Sequence, residues 1–167
     1  MSTDAIVMLK EDHKRVKKLF RDFRSAAESG DRQAQGRLAT TILEELTVHT
    51  YLENEVMYPE VRKLLPDLEN DVLESYEEHH VADVLCMELA SMTPQDDHFV
   101  AKVTVLAENV THHIDEEEGE WFPKVREGLG RKRLQEMGAR MAELRPSAPT
   151  RPTEPKALRK ALDAVRA

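Results

Sequence analysis

Residues 49–59, HTYLENEVMYP, and residues 113–123, HIDEEEGEWFP, are two copies of one pattern: a histidine, a glutamate four positions on, and an aromatic–proline pair beginning five positions after the glutamate. An α-helix turns about 100° per residue, so side chains four apart lie roughly 40° from each other and one turn apart along the axis. His49 and Glu53 therefore share one helix face, as do His113 and Glu117. One helix earlier in each half stands another histidine: His13 lies 36 residues before His49, and His79 lies 34 residues before His113. Apolar residues follow each of these at the third, sixth, seventh and tenth positions, as Val16, Leu19, Phe20 and Phe23 in one half and Ala82, Leu85, Cys86 and Leu89 in the other. Both halves of the chain repeat one plan.

The apolar spacing around the motifs sets the helices. Ile6, Leu9, Val16, Leu19, Phe20 and Phe23 recur at helical intervals and predict a helix from Asp4 to near Gly30, with Ser2, Thr3 or Asp4 as N-cap. Asp31 caps a second helix of about 30 residues, whose inward residues are Leu38, Ile42, Leu46, His49, Val56 and Leu64 and which Pro66 stops. A third runs through Val72, Tyr76, His79, Ala82, Leu85, Cys86 and Leu89 to the Thr93-Pro94 break. A fourth runs through Phe99, Val103, Leu106, Val110, His113 and Trp121 to the glycines at 128 and 130. Four long amphipathic helices with short connectors predict an all-α, up-down-up-down four-helix bundle over residues 1–130. Residues 131–144 predict a short fifth helix, residues 145–155 a proline-punctuated linker, and residues 156–167 a basic amphipathic segment.

Composition closes off other classes. Charged residues are 34% of the 167 and aromatics 5%, which disfavours a sheet protein. The net charge of −8 repels a phosphate backbone, so no nucleic-acid partner is expected. Cys86 is the single cysteine, read as a small core filler, and the apolar run Ala5–Leu9 is too short for a signal peptide or a membrane span. A soluble cytoplasmic protein is the expectation. Residues 145–167 carry a net +4, which leaves −12 on the first 144 and predicts that this segment docks on its own acidic bundle or on a sister subunit. Recruitment of an acidic partner is the alternative.

Since His13, His49, His79 and His113 continue apolar faces, they project into the bundle interior together with Glu53 and Glu117. Unpaired charges there would cost several kcal/mol each. A bound pair of metal cations removes that cost: two carboxylates can bridge while imidazoles divide between the two ions. His80, His98 and His112 have no symmetric counterparts and are read as solvent-facing or supporting. His112 also offers an alternative spacing to Glu117, against which the match of His113 to the first motif argues.

At DH (12–13), HTYLE (49–53), EEHH (77–80) and HIDEE (113–117) the chain resembles the hemerythrin-like, or HHE cation-binding, family over about residues 4–127. The resemblance implies a four-helix bundle with two non-haem iron ions, Fe2+/Fe3+, joined by an oxo or hydroxo bridge and held by His13, His49, Glu53, His79, His113 and Glu117. Oxygen carriers of this family have a further histidine four residues before the His79 position and end in His-x4-Asp. Here Ser75 and His113-x3-Glu117 stand in those places. The pattern looks like a bacterial branch, several members actinobacterial, for which peroxide decomposition and stress responses have been proposed. A catalase-like protein acting on hydrogen peroxide or dioxygen is therefore expected. A non-enzymatic module for oxygen, nitric oxide or iron binding and sensing is the alternative. Two irons with two histidines each leave coordination sites that Tyr51, Tyr58, Tyr76, His80 or His112 could fill.

Overall fold

The computed structural model describes residues 4–164, and the first and last three residues of the chain, with them the candidate caps Ser2 and Thr3, lie outside the described residues. The helices are α1 (Ala5–Glu28), α2 (Arg32–Leu52), α3 (Tyr58–Leu64), α4 (Glu69–Ala90), α5 (Phe99–Glu116), α6 (Phe122–Leu144) and α7 (Pro155–Ala164). Among the described residues there is no strand. Asp4 caps α1 by accepting from the Val7 N–H, and Asp31 caps α2 through the Ala34 N–H. Gly30, at φ 72, supplies the left-handed residue that reverses the chain between them. α1 packs on α2, and α4 on α5, which gives the antiparallel bundle.

The ends of α2 and α5 lead into a feature that periodicity alone did not predict. Glu53–Met57 and Glu117–Trp121 form π-helical turns, in which the Tyr58 and Phe122 N–H groups donate five residues back, to the carbonyls of Glu53 and Glu117. The cause sits one residue further on. Pro59 and Pro123 have no N–H to offer and crowd the carbonyl four residues earlier, so the turn widens instead of breaking. One additional residue in the turn rotates everything beyond it. Hence Leu64, expected inward, is 41% exposed, while Tyr58 and Val61 are fully buried.

Two apolar clusters result, with a polar layer between them. One contains Leu9, Leu52, Val56 and Tyr58, the other Val16, Ile42, Phe99 and Leu106. α6 breaks at Gly130 (φ 71, ψ 170) and folds its second half, Arg131 onward, back over the first cluster through Leu134, Met137 and Met141. Arg145–Ser147 make one 3-10 turn in the proline-punctuated linker, where no helix was expected, because a proline early in a turn has no N–H to waste. α7 then lies on α4 and α2, with the Lys160 ammonium donating to Asp83 and Thr50. Cys86 is buried in the second cluster, and burial pushes its thiol up to about 12. No described helix is long and apolar enough to cross a membrane.

Candidate metal centre

The polar layer gathers the six residues that the motifs single out. His13, Glu53, His79 and Glu117 are each at most 2% exposed, and His49 and His113 at most 7%. All four imidazoles turn Nε2 inward. His13 Nε2 stands 3.3 Å from Glu117 Oε2 and His113 Nε2 3.5 Å from Glu117 Oε1, so the two oxygens of one carboxylate face histidines of opposite halves. Glu53 Oε2 lies 3.2 Å from His49 Nε2 and 3.1 Å from His79 Nε2. Two groups of donor atoms fall within 4.8 Å of one another: His13, His49, Glu53 and Glu117, and Glu53, His79 and His113. Glu53 belongs to both, the placement a bridging carboxylate requires.

Each imidazole is tied from behind. His13 Nδ1 meets Glu118 at 2.8 Å, His49 Nδ1 meets Asp12 at 3.3 Å, His79 Nδ1 meets Asn54 Oδ1 at 2.8 Å, and His113 Nδ1 meets Glu78. An Nδ1–H donated outward leaves the Nε2 lone pair for a cation, the arrangement that orients histidine ligands in metal sites. These partners obey the duplication. The residue before each early histidine, Asp12 or Glu78, serves the motif histidine of its own half, and the residue after each motif glutamate, Asn54 or Glu118, serves the early histidine of the other half. Sequence reasoning gave them no role, although each adjoins a proposed ligand in the chain.

The electrostatics fit a cation-binding cavity. Burial pushes His49 down, but the Glu53 charge and the Asp12 bond outweigh it and raise His49 to about 10. His113 rises to about 9 for the same kind of reason, through Glu117 and Glu78. Burial holds His79 below its ordinary value. Glu53 lies well below the usual carboxylate range because His49 and His79 outweigh its burial. Asp12 falls to about 2, its burial outweighed by His49 and Arg145. Without a metal, the raised His49 and the lowered Glu53 thus support each other's charge. Even so, His13 Nε2, His49 Nε2, Glu53 Oε1 and Glu117 Oε2 are buried without a hydrogen-bond partner. So many orphaned polar atoms of ligand type in one cavity are costly unless a cation meets them.

The two halves differ at the aromatic residue that closes each π turn. The π turn brings Tyr58 onto the Glu53 face, and its fully buried hydroxyl lies 3.0 Å from His79 Nε2 and donates to Glu117 Oε1 at 3.1 Å. Its symmetric counterpart, Phe122, stacks on His13 with 5.8 Å between ring centroids. Burial, with Glu117 and Glu53 beside it, keeps the Tyr58 phenol well above its ordinary value. Of the other candidates, Tyr76 packs edge-on against Tyr58, and Tyr51 is buried in α2. His80 contacts the Ala161 carbonyl, and His112 pairs on the surface with Glu116, with its side chain 68% exposed. Ser75 sits one turn before His79, is 7% exposed, and donates to the Asp71 carbonyl.

A profile of the hemerythrin HHE cation-binding domain matches residues 4–125 of this chain. A DNA nickase of Nostoc sp. is 29% identical over 129 residues, which cover 77% of this chain but 35% of the nickase. The chain thus spans about a third of that relative's length. An uncharacterised hemerythrin-like protein of Schizosaccharomyces pombe is 24% identical over 151 residues, 85% of this chain and 73% of the yeast protein. No solved structure gives a significant match.

Proposed function

The chain belongs to the hemerythrin HHE cation-binding domain family, and from that premise we propose that its buried cluster holds two iron ions and that the loaded protein decomposes hydrogen peroxide in a catalase-like reaction. The observation that carries the reading is the convergence of four Nε2 atoms and two carboxylates on one cavity, with every Nδ1 tied back. In this reading His13 and His49 hold one ion, His79 and His113 the other, and Glu53 and Glu117 span both. A di-iron pair supplies the two-electron redox chemistry that peroxide decomposition needs. The fold supplies rigid ligands on four helices, an apolar wall on the Phe122 side, and a proton at Tyr58 Oη on the His79–His113 side. The Nostoc name describes a protein about three times as long, and a chain of charge −8 is poorly suited to DNA.

The test is to load the protein with iron anaerobically, count metal per chain, and follow oxygen evolution on adding peroxide. About two irons and sustained oxygen release are expected. A reduced protein whose spectrum cycles reversibly between air and vacuum, with no oxygen release from peroxide, would replace this reading with an oxygen-binding module.

The Tyr58 hydroxyl sharpens the enzymatic reading. Tyr58→Phe puts the same residue at this position in both halves and removes the buried proton nearest His79. Peroxide turnover is expected to fall about a hundredfold, the scale of losing one positioned donor in a buried site, while iron content stays near two. Turnover equal to that of the unmodified chain would remove Tyr58 from the reaction.

Loading should also move protons. With His49 raised to about 10 and His113 to about 9, both are charged at neutral pH in the metal-free protein, and a metal must displace those protons. Release of about two protons per chain is expected, read from calorimetry in buffers of different ionisation enthalpy. For a group raised above its unfolded value of 6.5, stability is fully present below that value and is lost as the pH climbs through the folded value. The metal-free fold is therefore expected to weaken from pH 6.5 to about 10, as followed by urea unfolding. A flat profile over that window would contradict charged His49 and His113.

A further inference from the structure

The duplication fails on one side of the bundle. Between α4 and the start of α6 lies an opening of about 120 Å³ that leads to His113 and Glu117 and is rimmed by Glu74, Ser75, Glu116 and Glu120. Matching His79 to His13 and Glu117 to Glu53, these four correspond to Met8, Leu9, Leu52 and Val56 in the first half. There they join one apolar cluster with Leu134, Met137 and Met141 of α6. The returning half of α6 seals one face of the polar layer, and the equivalent face stays open with acids where the sealed face has aliphatic side chains.

Glu117 lines this opening, is 2% exposed, and carries a buried oxygen, Oε2, without a hydrogen-bond partner. Glu117 belongs to the inner cluster and also forms the floor of the opening. Glu78 and Glu116 line the opening, and with His112, which lines a separate cleft beside it, they place one donor atom each within 4.8 Å of one another, a second set able to hold a cation. Glu78 connects the two sets, since it also accepts from His113 Nδ1. Among the described residues, Lys124 is the one lysine or arginine lining the opening, and it stands 3.9 Å from Asp71. Charges of one sign around a narrow cleft concentrate ions of the other sign and speed their arrival.

We propose that this acid-rimmed opening is the port through which a hydrated divalent cation, iron(II) in the first instance, enters the metal-free protein, docking on Glu78 and Glu116 before passing to Glu117. The proposal rests on the reading of the inner cluster as a metal centre and adds the route by which that centre fills. A neutral molecule such as peroxide gains nothing from the rim charge, so the acids act on loading and not on turnover.

The experiment mixes full-length metal-free protein with anaerobic iron(II) at low ionic strength and scavenges the unbound ion with ferrozine at timed intervals. The variant E74Q/E116Q/E120Q changes three exposed rim residues, none of them in the inner cluster. A control, E28Q/E44Q/E143Q, removes as many exposed acids elsewhere. The rim variant is expected to load about tenfold more slowly, at the lower end of electrostatic steering effects, yet to reach the same final iron content. The control should load as the unmodified chain does. Added salt should slow the unmodified chain and leave the rim variant nearly unaffected. Equal loading by rim variant and control, or a rate in the unmodified chain that salt does not alter, would overturn the port while leaving the metal centre standing. An unmodified chain that binds no iron would overturn both.

Discussion

Replacing Glu53 by alanine is expected to empty the centre of both irons, because Glu53 alone is common to the two donor groups and its Oε2 stands within 3.2 Å of histidines from both halves. Glu117→Ala should do nearly as much, since its two oxygens face His13 and His113 separately. Metal analysis after anaerobic loading should give about two irons in the unmodified chain and well under one in either variant, the outcome for a pair of ions that share their bridges. Stability should follow. A ligand that binds only the native state at about a thousand times its Kd adds about 4 kcal/mol, which for a chain of this size raises Tm by roughly 8–16 °C. That increment should vanish in Glu53→Ala, whose melting temperature should be the same with and without iron. Unchanged iron content in both variants would remove the carboxylates from the site, and a Tm of the unmodified chain that iron leaves alone would contradict a buried centre.

The bundle and its inner six were legible because one rule, the helical period, governs both. Val16, His49 and Leu106 are inside for the same reason of spacing, and His13, His49, His79, His113, Glu53 and Glu117 extend the faces that aliphatic residues begin. The π turns were not legible by that rule, since continuing at a constant angle sends Leu64 inward and leaves Tyr58 off the Glu53 face. The signal was present as Pro59 and Pro123, each six residues after its glutamate. Their lost N–H converts an identity in the sequence into a rotation of the helix. The outer partners Asp12, Asn54, Glu78 and Glu118 escaped for another reason. A residue next to a ligand points about 100° away, and whether it meets solvent or a neighbouring imidazole depends on the helix packed beside it. Only tertiary structure decides that. Which face the fifth helix covers was also written in the sequence, as the places where the duplication breaks: Met8, Leu9, Leu52 and Val56 against Glu74, Ser75, Glu116 and Glu120.

Lys160→Met should destabilise the protein by about 3 kcal/mol, near the lower end for breaking a buried ion pair, since Asp83 retains some solvent contact. Lys160 is 4% exposed, and its ammonium donates to Asp83 Oδ1 at 2.7 Å and Thr50 Oγ1 at 2.5 Å. Asp83 Oδ2 already lacks a partner, so removing the lysine leaves a largely buried carboxylate with nothing to offset its charge. Methionine keeps nearly the length and volume of the lysine stem, which separates loss of charge from loss of packing. Urea unfolding should show the loss as a lower midpoint with an unchanged slope. Adding Asp83→Leu should restore most of it, because an apolar pair of similar volume has no charge to strand. The position of this pair links the tail to the centre. Thr50 follows His49, and both border the small cavity on which the four histidines converge. With Lys160 gone, α7 keeps the buried Ala157 and Ala161 and the Ala161 carbonyl contact with His80, but no buried ion pair to the bundle among the described residues. Faster hydrogen exchange at the end of α2 should therefore accompany the lost stability. A Lys160→Met protein as stable as the unmodified chain would mean that the basic segment does not rely on its buried charge to stay docked, and the acidic bundle would lose its place as the partner that holds it.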